Sequence, residues 1–384
     1  MSQVRTAFGL LLLLGASCGS PSSGPSVPPA PPPAQPPPPP PPPPAPPVET
    51  SYRNFKEVGL TPQVLPPGRG GVGSVRAYGR FSGSDRLDLF AATLQYTPPG
   101  PPAPSLFEFW RQQEDGSYTR DSQLLESTAG CVHPRKALVA DFNGDAKPDV
   151  FVACHGYDAP PFAGEQNVIV LSQANGRYRT RIAAPDTGFF HSATAADLDA
   201  DGDPDVLVVN NLSATPAYVL RNDGTGAFRR ELTDRLPASI RNRAYFTVEL
   251  VDVDGDGRLD VLLGGHEWEG ASTIVLIDPG TGDFAAATPR VIPPVPGEGV
   301  VLDFAATGGA ADRILWVLRT SGGDGTFYAS RTIQRVPWPS MIGSTIVTER
   351  PAPWFQWIIP TIVNGRRQIA SDDATVSLVV PVNP

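Results

Sequence analysis

The stretch Asp197-Leu-Asp-Ala-Asp-Gly-Asp-Pro-Asp205 has a carboxylate at every second position and runs directly into the apolar segment Val206-Leu-Val-Val209. Side-chain oxygens at loop positions 1, 3, 5 and 9 can converge on one hard cation. Ca²⁺ is the best candidate, because it takes six to eight oxygen ligands in irregular geometry. Without a cation, the five aspartates would repel one another. The stretch therefore predicts a calcium-binding turn that leads into a buried strand.

The same pattern occurs twice more in the chain. Asp141-Phe-Asn-Gly-Asp-Ala-Lys-Pro-Asp149 precedes the apolar segment Val150-Phe-Val-Ala153, and Asp252-Val-Asp-Gly-Asp-Gly-Arg-Leu-Asp260 precedes Val261-Leu-Leu-Gly264. The last aspartates of the three copies are 56 and 55 residues apart. A constant period of this length indicates that one structural unit is repeated.

An EF-hand is the obvious alternative for an aspartate-rich loop, and the flanking sequence argues against it. An EF-hand needs a bidentate Glu at position 12 and a helix on each side. Position 12 is apolar in all three copies, namely Val152, Val208 and Leu263. The segment Phe246–Val251, before the third loop, has the composition of a strand. We therefore expect each loop to close a β-hairpin.

In these motifs the chain resembles the FG-GAP or VCBS repeat family, whose repeats build calcium-dependent β-propellers such as the head of integrin α-chains. The resemblance implies one Ca²⁺ per loop, held by the side chains at positions 1, 3, 5 and 9 and by the main-chain carbonyl at position 7. The implied ligands are Asp141, Asn143, Asp145, Lys147 and Asp149 in the first loop, Asp197, Asp199, Asp201, Asp203 and Asp205 in the second, and Asp252, Asp254, Asp256, Arg258 and Asp260 in the third. The alternative is an acidic turn that holds no ion.

Weaker copies and a second motif complete the repeat. Copies at 79–88, 304–312 and 361–369 retain the hairpin pattern and lack the full ligand set. Gly-rich turns followed by an aromatic residue alternate with the loops, at 115–118, 175–178, 222–228, 278–284 and 323–327. Asn-Gly and Asp-Gly favour tight hairpin turns. Two hairpins per repeat give four strands, which is the content of a propeller blade.

The sequence thus predicts an all-β fold, a β-propeller of six four-stranded blades. The strand-like segment Asn54–Leu60 has no turn before it, whereas the last repeat ends after Ala374–Val380. We expect the N-terminal strand to complete the last blade and close the ring. Seven blades, as in integrin heads, is the alternative.

The N-terminus carries export signals. Residues 1–17 have one basic residue followed by a short apolar run, as in a secretory signal peptide. Leu14-Gly-Ala-Ser-Cys18 resembles a bacterial lipobox, in which Cys18 becomes lipid-modified, and Ser20 resembles a residue that permits outer-membrane sorting. The alternative is cleavage near Ala16–Ser17, which would give a secreted soluble protein.

The predicted domain organisation follows from this N-terminus. Residues 18–49 hold the lipid-attachment cysteine and a proline-rich segment that favours extended polyproline II without a core, and residues 50–384 form the propeller. The expected location is the bacterial cell envelope, with the protein bound to the outer membrane through its lipid and the segment serving as a tether.

The other two of the three cysteines, Cys131 and Cys154, flank the first acidic loop. Adjacent antiparallel strands could bring them within disulfide distance, and an exported protein permits the bond. Two buried free thiols are the alternative. The chain has no Cys-x-x-Cys pair, so a structural zinc site is not expected.

The charge does not favour nucleic-acid binding. The net charge is −9, and the three loops hold 12 of the 39 acidic residues. The rest of the chain shows no basic patch that could follow a phosphate backbone.

The candidate ligand residues follow the acidic loops at a fixed distance. His155, Asn211 and His266 each lie six residues after the last aspartate of a loop, and Trp268 lies beside the third. These positions should lie on the face opposite the loops, where a polar and aromatic group could bind a sugar or a peptide. Polar strand ends that only meet solvent are the alternative interpretation.

Three functions remain open. We expect a binding or adhesion module for a protein or a glycan. No hydrolase, zinc-protease or phosphate-loop motif is present, so no catalytic residue is assigned. The alternative is a polysaccharide-acting enzyme of the lyase or dehydratase type, with His155, His191, His266 and Glu267 as candidates. The third is an envelope component without a soluble ligand.

Overall fold

The computed structural model describes residues 75–211, 217–231, 235–323, 325–351, 357–363, 366–371 and 379–382, all within the compact unit 46–384. These residues form 23 strands and one short 3₁₀-helix, Glu267–Glu269. The strands are β1 (Val75–Gly79), β2 (Asp88–Thr93), β3 (Leu106–Gln112), β4 (Tyr118–Asp121), β5 (Pro134–Ala140), β6 (Asp149–Cys154), β7 (Glu165–Ser172), β8 (Tyr178–Gly188), β9 (Phe190–Ala196), β10 (Asp205–Asn210), β11 (Ala217–Asn222), β12 (Phe228–Arg230), β13 (Tyr245–Val251), β14 (Asp260–Gly265), β15 (Ile274–Leu276), β16 (Arg290–Val291), β17 (Val300–Thr307), β18 (Ile314–Thr320), β19 (Arg331–Pro337), β20 (Ser344–Glu349), β21 (Ile358–Val363), β22 (Arg366–Ser371) and β23 (Val379–Pro381). Among the described residues, no helix has the length and apolar character that a membrane span needs.

The strands form six antiparallel sheets, each made of consecutive strands. Five sheets have four strands, and the sixth, β21–β23, has three within the described residues. The first strands of successive sheets pack against one another from β1 to β21, and residues of the first and last sheets, such as Leu89 and Ile359, share one hydrophobic cluster. The sheets therefore surround a common axis, and the predicted six-bladed β-propeller is confirmed. We number the blades 1 to 6 in chain order.

The strand that follows each acidic loop is buried on both faces by the neighbouring blades. In β6, β10 and β14 every residue is buried. A strand covered on both sides needs apolar side chains on both sides, which explains the continuous apolar runs in the sequence. The outermost strand β20 has no fully buried residue. Burial thus decreases from the axis to the rim of the ring.

The acidic loops and the tight turns lie at the same end of the blades, because successive strands alternate in direction. The acidic loops join the first and second strands, and the turns join the third and fourth. We call this end the acidic-loop face. The opposite face carries the connections between second and third strands, for example 155–164, 266–273 and 321–330, and the connections between blades.

Three details of the predicted repeat are wrong, and each concerns the position or type of a connection. Phe304 lies within β17, so the fifth loop is only 308–313. Residues 278–284 belong to a longer connection, 277–289, rather than a tight hairpin. Residues 323–327 lie in the connection between β18 and β19, on the opposite face. Gly-rich stretches supply positive φ in any loop, so composition alone does not identify which connection they form. The predicted closing strand, 54–60, lies outside the described residues.

A buried ion pair crosses the axis of the propeller. The Nζ of Lys136 in β5 lies 2.9 Å from Oε1 of Glu249 in β13, and both side chains are almost completely buried. The same Nζ donates to the Val248 carbonyl at 3.0 Å and to Ser192 Oγ at 3.2 Å. It also lies 5.3 Å from the ring centre of Trp357, just before β21. One ammonium group thus joins the first strands of blades 2, 3 and 4.

A disulfide joins Cys131 to Cys154 at the end of β6, with 6.2 Å between the Cα atoms. Both cysteines are buried, so the bond crosslinks the core of blade 2.

We expect the double substitution C131A/C154A to lower the free energy of unfolding by about 3 kcal/mol, because the bond closes a loop with a sequence separation of 23 residues. Equilibrium unfolding in guanidinium chloride measures this loss. Wild-type protein under reducing conditions is the matched control and should show a similar decrease. A double variant within 1 kcal/mol of the oxidised wild type would contradict the prediction.

Candidate functional site

The acidic loops bring together carboxylates from positions 1, 3 and 9. In the second loop, oxygens of Asp197, Asp199 and Asp205 all lie within 4.8 Å of one another. In the third loop the same holds for Asp252, Asp254 and Asp260. Such a set of hard oxygen donors is the one that Ca²⁺ prefers. The predicted donors at these three positions therefore fit a calcium ion in both loops.

The aspartate at position 9 has a second role in the fold. Each carboxylate accepts two backbone N–H groups, one from the acidic loop and one from the end of the third strand. For Asp149 the donors are Phe142 at 2.9 Å and Ser172 at 2.7 Å. Asp205 and Asp260 accept equivalent pairs. So does Asp88 in blade 1, where the other ligands are missing. Position 9 therefore ties the hairpin to the third strand whether or not a metal binds.

The side chains at positions 5 and 7 form local contacts in this structure. Asp145 accepts Ser172 Oγ at 2.9 Å, and Lys147 Nζ lies 3.6 Å from the same carboxylate. Asp256 pairs with Arg258, and Asp201 Oδ1 accepts the Asp203 N–H at 3.0 Å. In the first loop the Asn143 amide donates to the Ser172 carbonyl at 3.2 Å. The carboxylates at position 5 thus take part in local contacts. In the second and third loops they do not belong to the group formed by positions 1, 3 and 9.

Arg221 in β11 was not found by the sequence reasoning, although it enters the second loop. Its guanidinium pairs with Asp205 and lies 3.1 Å from Asp199 Oδ2. A cation bound at this loop has to compete with the guanidinium for two of its ligands. We therefore expect the second loop to bind Ca²⁺ more weakly than the third.

Burial raises the pKa of each position-9 carboxyl, Asp149, Asp205 and Asp260, to about 6. Desolvation disfavours the charged carboxylate, and the amide hydrogen bonds offset only part of that cost. Burial and then the neighbouring Asp201 also raise the pKa of Asp203.

The predicted ligand residues come together on the opposite face. The His266 ring stacks on Trp268 at 4.5 Å, and His155 lies 4.5 Å from His191 between ring centres. The amide nitrogen of Asn211 lies 3.4 Å from Nε2 of the same His191. His155, Asn211, His266 and Trp268 therefore belong to one continuous group on this face.

This group extends over five blades. Ring contacts of 4.0 to 6.5 Å link all four histidines of the chain with eight other aromatic residues. We call it the histidine-aromatic cluster: His133, His155, His191, His266, Tyr96, Tyr157, Phe162, Phe189, Phe246, Trp268, Phe327 and Tyr328. Four of its rings are substantially exposed, namely Phe162 (53%), Trp268 (37%), Phe327 (49%) and Tyr328 (44%). The cluster thus offers an aromatic rim above buried imidazoles.

Arg135 lies beneath the cluster and was also missed from sequence. Its Nη1 lies 3.5 Å from His133 Nε2, and its Nη2 lies 3.3 Å from His191 Nδ1. Arg135 and His191 are 56 residues apart, which is the repeat period. The two residues occupy equivalent positions on the first strands of successive blades. An alignment of the repeats would therefore have indicated that they are neighbours.

Burial and the charge of Arg135 keep His133, His155 and His191 neutral. Desolvation, followed by Arg135, lowers the pKa of His133 to about 3. The same two causes hold the pKa of His155 and of His191 well below the usual range. Neutral imidazoles can accept or donate hydrogen bonds at the pH where other histidines would be charged.

His133 should make the protein less stable in acid. Its pKa is about 3 in the folded state and about 6.5 when unfolded, so the unfolded chain binds the proton first as the pH falls. The contribution is complete well above pH 6.5 and decreases as the pH falls through 6.5 towards 3, by about 3 kcal/mol at pH 4.5. Chemical unfolding of wild type and H133Q at pH 7.5 and 4.5 measures it. H133Q should lose less stability, and equal losses in the two proteins would contradict the assignment.

The comparisons with known proteins agree with the fold. The chain is a six-bladed β-propeller, and the family model described as "FG-GAP-like repeat" matches residues 141–208 and 197–263. These two segments contain the three acidic loops, so the resemblance seen in the sequence is confirmed for this part of the chain. Among curated proteins, none matches the chain.

Solved propeller structures show distant likeness. A Bacteroides fragilis protein provisionally assigned as a 6-phosphogluconolactonase has a TM-score of 0.47 and 10% identity over 81% of this chain and 83% of its own. The Bombyx mori GH32 β-fructofuranosidase has a TM-score of 0.36 and 12% identity over 83% and 65%. The endo-1,4-β-xylanase of Bacteroides thetaiotaomicron has a TM-score of 0.35 and 11% identity over 79% and 98%. These likenesses say nothing about activity or substrate.

Proposed function

We propose that the protein is a calcium-stabilised β-propeller that binds a glycan through the histidine-aromatic cluster. The carrying observation is that all four histidines and four exposed aromatic rings meet on one face. Exposed rings of this kind stack on the apolar faces of sugar rings, and nearby carboxylates such as Asp158 and Glu269 can accept hydrogen bonds from sugar hydroxyls.

Calcium has a structural role in this proposal. The ions would bind on the acidic-loop face and hold the hairpins of blades 2, 3 and 4, so the opposite face stays free for the ligand. Those blades also supply all four histidines. Metal binding would therefore fix the strands from which the ligand face is built.

We further propose that the protein acts at the bacterial cell envelope. The lipobox-like Cys18 and the proline-rich segment up to residue 49 support this location, since a lipid anchor and an extended tether would present the propeller to extracellular glycans.

A glycan array probed with the full chain in the presence of Ca²⁺ tests the binding role. The variants F162A and F327A remove exposed rings of the cluster, and I342A removes an exposed apolar side chain (73%) from the acidic-loop face. We expect at least tenfold weaker binding for the first two and unchanged binding for I342A. Glycan binding that is unchanged in both F162A and F327A would place the site elsewhere. Absence of glycan binding by the wild-type chain would refute the proposal.

A polysaccharide-acting enzyme is the second candidate, because the cluster holds neutral imidazoles beside a guanidinium and tyrosines. A neutral histidine is the form that can act as a general base. Depolymerisation assays on wild type and H155Q test it. Product that forms with wild type and not with H155Q would favour the enzyme over the binding module.

A further inference from the structure

Arg135 is a buried cation that has imidazoles where several other buried cations have carboxylates. Arg135 is only 8% exposed. The buried cations Lys136, Arg221 and Arg319 each pair with a carboxylate, from Glu249, Asp205 and Glu267 respectively. In the part of the chain that the structure describes, Arg135 contacts His133, His191 and the Phe246 ring and forms no ion pair. An unpaired buried charge is costly, so the position calls for an anion.

The tautomers imposed by Arg135 leave hydrogen-bond donors without acceptors. A guanidinium can only donate, so His133 Nε2 and His191 Nδ1 must accept from it. The proton of His133 is then on Nδ1. Both His133 Nδ1 and Arg135 Nε are buried without a partner among the described residues. Two unsatisfied N–H donors beside a positive charge form a binding arrangement for negatively charged oxygen.

A metal ion fits this position less well. Atoms of His133, His155 and Asp158 lie within 4.8 Å of one another, as metal ligands would. However, the guanidinium of Arg135 uses the lone pair of His133 Nε2, and its charge would repel a cation at this distance. The donors are thus arranged for an anion.

We propose that Arg135 binds the carboxylate of an acidic sugar, a uronate, within the glycan site. This inference rests on the proposed function and specifies its ligand. A planar carboxylate matches two parallel N–H groups along one edge of a guanidinium. The unpartnered Nε–H of Arg135 lies on such an edge, and the His133 Nδ1–H supplies a further donor. The exposed rings of Trp268 and Phe327 give the sugar ring an apolar surface to stack on. A phosphate would satisfy the donors equally, whereas the aromatic rim favours an organic ring that carries its own carboxylate.

The rim also favours a sugar over a peptide. Asp158 and Glu269 are exposed near the cluster, and Glu269 Oε2 lies 3.3 Å from His266 Nδ1. Carboxylates at the edge suit the many hydroxyl donors of a sugar. A peptide bound through its C-terminal carboxylate would offer only about one backbone N–H donor per residue, fewer than the hydroxyl groups of a sugar ring.

Calorimetric titration of the full chain in Ca²⁺ tests the proposal with four probes: trigalacturonic acid, its methyl ester, a peptide with a free C-terminal phenylalanine, and inorganic phosphate. We expect the acid to bind at least tenfold more tightly than the ester. R135M should abolish this preference, and R135K should reduce it because a lysine cannot form the bidentate contact. R229M, which removes an exposed arginine on an outer strand, is the matched control and should behave as wild type.

The outcomes separate this proposal from the binding role. If wild type binds the acid and the ester equally, the carboxylate assignment is overturned. This result comes from wild type alone, and it holds even if the glycan still binds through Phe162 and Phe327. Arg135-dependent binding of the peptide or of phosphate alone would overturn the sugar assignment. R135M should also melt no lower than wild type without ligand, because it removes an unpaired buried charge. A large loss of stability in R135M would show instead that Arg135 is a structural cation.

Discussion

Replacement of Lys136 by methionine is expected to lower the free energy of unfolding by about 3–5 kcal/mol. The substitution preserves most of the side-chain stem and removes only the ammonium, which lies 2.9 Å from Glu249 at the axis of the ring. Glu249 would then remain buried without that counter-ion. Urea unfolding monitored by tryptophan fluorescence measures the loss, and a change below 1 kcal/mol would contradict the prediction.

The double variant K136M/E249L is the matched control for the lysine. Replacement of a whole buried ion pair by apolar residues of similar size is often neutral or stabilising. We therefore expect the double variant to recover most of the stability that K136M loses. Recovery would show that the cost comes from burying the Glu249 carboxylate without the ammonium. If stability is not recovered, loss of the hydrogen bonds from Lys136 to Ser192 and Val248 would be the cause.

Removal of Ca²⁺ with a chelator is expected to lower the melting temperature by about 15 °C. Each site contributes about 2.7 kcal/mol when free Ca²⁺ is at about 100 times the dissociation constant, so three sites give about 8 kcal/mol. In a domain of this size, each kcal/mol corresponds to about 2 °C. Differential scanning fluorimetry with and without chelator measures the shift. An unchanged melting temperature would refute the three sites.

Variants at different loop positions separate the metal from the fold. D254N removes a carboxylate that groups with Asp252 and Asp260, so it should lower the calcium-dependent stabilisation by about a third. D88N lies in blade 1, where the carboxylate only accepts backbone N–H groups, and should destabilise the protein equally with and without Ca²⁺. Because Arg221 occupies the second loop, calcium titration should show one site weaker than the others. Three sites of equal affinity would contradict that role for Arg221.

The repeats could be predicted from sequence because each short motif determines a local hairpin. Loop, strand and period follow from residues that are close in the chain, such as Asp197–Asp205 and the apolar run behind it. The Gly-rich stretch at 323–327 was misplaced since glycine permits positive φ in any connection. Local sequence therefore predicted the hairpins and blades better than the identity of each loop.

The buried charges at the axis could not be predicted in the same way. Lys136 contacts residues 56, 112 and 113 positions away, and nothing near Lys136 in the chain indicates those partners. The ring places equal positions of successive blades side by side, so these contacts depend on closure of the whole fold. The histidine positions were found because they follow a visible motif. Arg135, which precedes the motif by six residues, was not.

The last aspartate of each loop accepts two backbone hydrogen bonds, and this has a consequence for how such rings can evolve. Blade 1 shows that this residue maintains the bend after the other oxygen donors have been replaced by Arg80, Ser82 and Ser84. Mutations can therefore delete ions from the ring one wedge at a time without breaking its geometry. The number of bound ions and the number of wedges are free to evolve separately, and a dependence on environmental calcium can be gained or lost in small steps.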